Sequence, residues 1–257
     1  MMSTVQPSEN KRTEFMTPRR RSIFSKPISF AIAVVAVIFI MSITFRVNDI
    51  QVYGNSHYTQ QEIINAIDIE QGDNLFFFDR FAAITRVFAK LPYVEEVSVE
   101  RALPDKVIIK VTENRAVAYL KIGAELWTMD DKCKILGTAA EGEAEGLIEI
   151  TGFKPGTLLI NESLTTADND ERTVNYLKSI LYQITERGIS YQVTKIDFSS
   201  VNNVKLSYAG KYTVRLGDPS NIEHKFSMVT SAVSQLLDGD SGIIDVTDGS
   251  TVHFRQF

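Results

Sequence analysis

Cysteine occurs once in 257 residues, as Cys133, tryptophan once and histidine three times. A single cysteine excludes an intrachain disulfide, so packing must hold the fold, and Cys133 reads as structural. His57, His224 and His253 lack the paired spacing of a zinc site, and one cysteine adds nothing to them. Asp130-Asp131 and Asp168-Asn169-Asp170 are too sparse for a calcium loop, and no glycine-rich loop could cradle a phosphate. No metal and no cofactor is therefore expected. Gly239-Asp240-Ser241-Gly242 has the core of a serine-protease nucleophile motif, but that chemistry also needs a histidine base held by a buried aspartate. Here Ile243-Ile244 follow, and His57 sits in a Gly-Asn-Ser turn. The four residues read as a turn before the last strands, no catalytic residue is assigned, and the chain is not expected to be an enzyme.

Charge is missing from one whole stretch, the nineteen residues Pro27 to Phe45 between Lys26 and Arg46. At about 1.5 Å per residue a helix of that length spans roughly 28 Å, close to a hydrocarbon core of about 30 Å. Before it stand Lys11, Arg12, Arg19, Arg20, Arg21 and Lys26 against Glu9 and Glu14, whereas residues 47–61 contain no Lys or Arg. That asymmetry predicts a cytoplasmic N-terminus and an exterior beyond Arg46. A cleaved signal peptide has a shorter apolar core and a small-residue cleavage site, which Ile43-Thr44-Phe45-Arg46 is not. A buried core helix rarely carries so basic a flank. The tail over 1–26 is polar and reads as disordered; the span is 27–45.

With the tail at +4, the overall charge of −5 leaves −9 for the rest, which argues against nucleic acid.

Beyond the span, Arg46 to Tyr53 alternates as a strand and stops at Gly54-Asn55. Thr59-Gln-Gln-Glu62 is a capping box, and Tyr58 and Ile63 have the spacing of a hydrophobic staple. Asp79 opens a second helix with Phe81, Ile84, Val87, Phe88 and Leu91 at helical spacing, stopped by Pro92. Strands follow over Val94–Arg101 and Val107–Val111, joined by Leu103-Pro104-Asp105 as a type I turn. Phe76-Phe77-Phe78 can be read as a membrane-dipping or partner-binding patch; the plainer reading is the lead into the second helix, packed beneath it with one ring exposed. The order is β-α-α-β-β.

These residues carry a resemblance. Ile50-Gln-Val-Tyr-Gly-Asn55, the Thr59 to Ile63 helix start, Gly72-Asp-Asn-Leu-Phe76, Leu91-Pro-Tyr-Val94, Val97-Ser-Val-Glu-Arg101, Leu103-Pro104 and Val111-Thr-Glu113 resemble a polypeptide-transport-associated (POTRA) domain. Placed after a signal anchor, that domain resembles the bacterial division family FtsQ/DivIB. Residues 46–118 are expected to form it.

Residues 119–257 read as a β domain. Leu126 to Leu136 is a hairpin turning at Asp130-Asp131, Glu141 to Gly146 is an acidic loop, and Leu147–Ile150 is a short strand. A helix runs through Val174, Leu177, Ile180, Leu181 and Ile184 to Gly188. Three strands, Val193–Phe198, Val204–Tyr208 and Tyr212–Leu216, precede a second capping box, Ser220-Asn-Ile-Glu223. A helix with Ile222, Phe226, Val229, Val233, Leu236 and Leu237 on its apolar side follows, then a final strand pair through Ile243–Val246 and Thr251–Phe254. Ile196-Asp-Phe, Asn203-Val-Lys-Leu206, Tyr212 to Gly217, the Lys225 helix and Ile243-Ile-Asp-Val246 extend the resemblance to about residues 24–257. The fold class is α+β: one N-terminal transmembrane helix, a POTRA domain, and a mixed-sheet β domain with two helices.

The resemblance implies a divisome scaffold at the septum, in the cell membrane, that binds bitopic coiled-coil division proteins of the FtsB/DivIC and FtsL type. It implies no small-molecule substrate. By position in the family's motif, the partner-binding strand corresponds to Gly249, Ser250, Thr251, Val252, His253 and Phe254, with Val252 and Phe254 on one face. Strand addition at an open edge is the physical route. The plainer reading is that these residues finish the sheet's core. Tyr212 and Arg215 are neighbours without a role. A membrane-anchored transport or assembly factor is the alternative, since POTRA domains serve there too, and an anchored cell-wall enzyme is a third class.

Overall fold

The computed structural model describes residues 25–237 and 239–257; residues 1–24 of the tail expected to be disordered lie outside the described residues, and Ser25 and Lys26 begin the first helix instead. Helix α1 (Ser25–Thr44) is apolar on every side. None of its Pro27–Thr44 window is buried against the rest of the chain. An all-round apolar helix needs either a core or a membrane, and this one has no core around it. It has the length and composition to cross a bilayer.

The chain leaves α1 through a short tie. Asn74 Nδ2 donates to the Met41 carbonyl at 3.1 Å, and Leu75 N–H donates to the Phe45 carbonyl at 2.8 Å. Val47, fully buried, then starts the first core. Strand β1 (Asp49–Tyr53), helices α2 (Gln60–Ile67) and α3 (Arg80–Lys90), and strands β2 (Val94–Ala102) and β3 (Lys106–Glu113) follow in the expected β-α-α-β-β order. The sheet order is β1-β3-β2, with β1 parallel and β2 antiparallel to β3. Val107, Ile109 and Val111 alternate inward from β3 onto Ile63 and Ile67 of α2 and Ala83 and Val87 of α3.

Local chemistry fixes these elements. Thr59 and Glu62 form the capping box, each side chain accepting from the other residue's amide. Asp79 caps α3 through the amides of Phe81 and Ala82. The Glu113 carboxylate at the end of β3 accepts the amide and hydroxyl of Ser56 and holds the loop before α2. Gly54 takes φ +84°, and a Cβ there would lie 2.1 Å from the Val111 carbonyl oxygen, so only glycine fits.

Three expectations for this unit need correction. The Leu103–Pro104 peptide, expected within a type I turn, is cis. Phe81 faces solvent at 75% exposure, whereas Val87 and Leu91 are buried as expected, Ile84 and Phe88 pack against the core, and Ala83 joins the inward stripe of α3. Phe76 and Phe77 are also exposed, and only Phe78 of the triplet is partly covered. The segment 72–75 is tied to residues 45–47 at the end of α1, which turns those two rings away from the core.

The second sheet has nine strands: β4 (Ala118–Ile122), β5 (Glu125–Met129), β6 (Ile135–Ala139), β7 (Ile148–Thr151), β8 (Val193–Asp197), β9 (Val204–Tyr208), β10 (Tyr212–Gly217), β11 (Gly242–Asp245) and β12 (His253–Gln256). Their order is β12-β11-β10-β9-β8-β7-β4-β5-β6. The sheet is mixed, because β4/β7, β7/β8 and β10/β11 run parallel. Helix α4 (Glu171–Glu186) buries Tyr176, Leu177, Ile180, Leu181 and Ile184, and helix α5 (Ile222–Gln235) buries Phe226 and Val229 in the same core. Arg187, just past α4, joins the two helices by donating to the Glu223 carbonyl and the Ser227 hydroxyl.

The second capping box is absent. Asp218 takes the hydroxyl and amide of Ser220, and α5 begins after Asn221 at φ +50° with no side-chain cap. The two sheet units touch through a Lys132–Glu95 ion pair and through Lys134 Nζ, which donates to the Pro92 carbonyl at 2.8 Å.

Candidate partner-binding edge

The nine-stranded sheet ends in β12, and how that strand is held decides what it can do. Asp248 opens the turn before it. Its carboxylate accepts the Thr251 hydroxyl at 2.6 Å and the amides of Ser250 and Thr251 at 2.9 Å each. Those bonds, the hydroxyl's foremost, hold the Asp248 carboxyl far below the usual carboxylate range. Gly249 follows at φ +66°. Beneath it lies Lys225 of α5, fully buried, whose ammonium donates to the Asp218 carbonyl and carboxylate at 2.9 Å each. The Ser220 hydroxyl and this ammonium lower the Asp218 carboxyl to about 2.

The expected partner strand, Gly249 to Phe254, is thus only partly a strand. Gly249, Ser250 and Thr251 belong to the Asp248 turn, Val252 leads out of it, and only His253 and Phe254 lie on β12. The correction has a local cause: aspartate capping of Ser250 and Thr251 withholds those residues from the ladder. Sequence reasoning missed Arg255 and Gln256, which complete the strand; the apolar–polar alternation of His253-Phe-Arg-Gln256 was the available signal.

Strand β12 pairs antiparallel with β11, Ile244 opposite Phe254 and Gly242 opposite Gln256. The Phe257 amide donates inward to the Ser241 carbonyl at 3.1 Å. By alternation, the backbone groups of His253 and Arg255 also face β11, and those of Phe254 and Gln256 face outward. Among the described residues no strand of this sheet lies beyond them. The opposite edge differs, because Ile135 at the start of β6 exchanges backbone hydrogen bonds with residues 161 and 162.

Side chains frame the open edge. Phe254 is 37% exposed and meets Tyr212 of β10 edge-on, with ring centroids 6.4 Å apart. Arg215 of β10 pairs with Asp245 of β11 at 2.9 Å, and Asp245 is in register with His253. A Cβ on Gly242 would lie 2.2 Å from the Arg255 carbonyl oxygen, so glycine lets β12 close on β11. Val252 and Phe257 add exposed apolar surface. Among the described residues no group of three or more His, Cys, Asp or Glu gathers as for a metal ion. The arrangement offers backbone donors and acceptors flanked by apolar and charged side chains, the equipment for binding an extended strand.

One apolar helix of spanning length, a β-α-α-β-β unit and a mixed nine-stranded sheet describe a single-pass membrane protein with a POTRA fold. Residues 45–114 match the family described as POTRA domain, FtsQ-type. Over 230 residues the chain is 25% identical to cell division protein DivIB of Clostridium botulinum, covering 88% of each chain. It is also 25% identical over 239 residues to DivIB of Bacillus subtilis, covering 92% of this chain and 84% of that one. A solved structure, the major extracytoplasmic domain of the trans isomer of DivIB from Geobacillus stearothermophilus, aligns with a TM-score of 0.31 at 11% identity, over 49% of this chain and 99% of that one. Residues 45–114 thus fit the FtsQ-type POTRA family, and most of the chain is similar to cell division proteins of the DivIB kind.

Proposed function

We propose that the chain is a non-enzymatic divisome scaffold at the septum that captures bitopic coiled-coil division proteins of the FtsB/DivIC and FtsL type by strand addition at β12. The observation that carries this reading is the outward-facing backbone of Phe254 and Gln256 at the end of a nine-stranded sheet. In this reading residues 1–26 are cytoplasmic and 27–45 cross the membrane. Residues 46–118 form the POTRA domain and 119–257 the β domain, both outside. Similarity to DivIB over most of the chain supports a division role, and the basic flank before α1 supports the orientation. The test is binding of the full-length chain in lipid nanodiscs to the host's own FtsB/DivIC-type protein, beside Phe254→Glu. The charge should abolish binding while the circular dichroism spectrum and melting stay those of a folded chain. Wild-type affinity in the variant would overturn the site, and no binding by the wild type would overturn the partner.

A further inference from the structure

The membrane-proximal end of the POTRA unit exposes large apolar side chains that the partner edge does not use. Phe76 is 37%, Phe77 66%, Phe81 75% and Leu103 61% exposed. Their position is fixed relative to α1. The Phe76 ring meets Phe45 edge-on at 5.0 Å, one residue past the helix. Asn74 bonds the Met41 carbonyl inside the last turn of α1. The turn carrying Leu103 is tied to the same end, because the Asp105 carbonyl accepts the Asn48 amide at 2.8 Å.

Cations accompany these rings. The Arg101 guanidinium lies 4.8 Å from the Phe78 ring centroid and donates to the Phe78 carbonyl, and the Arg80 guanidinium lies 5.8 Å from that of Phe81. Exposed Arg46 bridges to Asn74. Among the described residues none of the three has a carboxylate within ion-pair distance. Asp79, the acid next to Arg80, is engaged with the α3 amides. Aromatic rings beside uncompensated arginines, continuous with a spanning helix, have the chemistry of the headgroup layer: rings in the acyl boundary and guanidiniums on phosphates.

We infer that Phe76, Phe77, Phe81 and Leu103 form a ledge seated in the bilayer interface around the end of α1, with Arg46, Arg80 and Arg101 on anionic lipid phosphates. The ledge would hold the POTRA unit down on the membrane instead of leaving it to swing on residues 45–47. This rests on α1 crossing a bilayer.

The test places one tryptophan at a time in the full-length chain, with Trp127→Phe as background, in nanodiscs whose lipids carry bromine near the headgroups. Phe77→Trp should emit at shorter wavelength than Tyr191→Trp, an exposed position in the second sheet unit, and should lose most of its fluorescence to the bromines. Tyr191→Trp should keep its own. A Phe77→Trp signal matching Tyr191→Trp overturns the inference. So does a blue-shifted but unquenched signal, which means that protein covers the ring. Val35→Trp in α1, with lipids brominated deep in the chains, separates the premise: unquenched, it sinks the spanning helix and the ledge together. Replacing anionic by zwitterionic lipid should weaken the Phe77→Trp quenching, and unchanged quenching would remove the arginines from the account.

Discussion

Phe254 on the last strand of the chain rests edge-on against Tyr212, two strands inward, across the glycine at 242 that keeps the space between them open. The contact ties the candidate binding edge to the core without burying it. Tyr212 is buried and Phe254 is not. Phe254→Ala should therefore cost only about 1 kcal/mol of folding stability, less than full burial of a large apolar side chain is worth. Denaturant unfolding checks that figure. Partner binding should fall by much more, because a flanking anchor is lost from the edge.

Gly242→Ala should separate β12 from its sheet. The new methyl cannot share space with the Arg255 carbonyl oxygen. Hydrogen exchange should then show fast amides at 253, 255 and 257, with β8 to β10 still protected. Protection of those three amides as in the parent chain would refute the tight approach.

Asp218 gives the loop under β12 a defined acid sensitivity. Its carboxyl is lowered to about 2 by the Ser220 hydroxyl and the Lys225 ammonium. A depressed folded value means that the stabilisation is full above the unfolded value of about 3.9 and is lost as pH falls toward about 2. Chemical shifts of Ser220 and Lys225 should thus hold steady from neutral pH to about 4 and move below it, within the range where carboxylates titrate. Asp218→Asn should abolish the acid transition and leave Lys225 buried without its charged partner.

Cys133 should be inert. Burial pushes its thiol up to about 12, so the thiolate is negligible at neutral pH. A maleimide should label it only after denaturation, at a rate set by unfolding. Rapid labelling of the native chain would place the thiol at the surface.

Gly54→Ala should destabilise the POTRA unit by at least about 2 kcal/mol, since a positive φ and a carbonyl clash combine there. Thermal melting of the variant checks this, with the second core expected to unfold separately.

Much of this fold was legible because its signals are local. The Thr59–Glu62 box, the Asp79 cap and the alternation of Val107, Ile109 and Val111 each decide their own element. What the sequence hid is non-local or depends on competition. The parallel pairings of β7 with β4 and β8, and of β10 with β11, join strands far apart in the chain. Ser220 has the spacing of a cap but bonds Asp218, two residues before it. Asp248 likewise draws Ser250 and Thr251 out of the last strand, which runs over His253–Gln256 where the motif suggested 249–254. Phe76 and Phe77 looked like core, because an apolar run gives no sign of whether protein or lipid covers it.

Gln256→Pro tests the central claim most directly. The Gln256 amide faces outward, so proline removes one edge donor and leaves the bonds to β11 in place, as edge strands tolerate. Titrated against the host's FtsB/DivIC-type protein in nanodiscs, the variant should lose most of its binding while its melting temperature stays that of the parent. Binding equal to the parent's, with the strand still folded, would show that β12 is not where the partner adds.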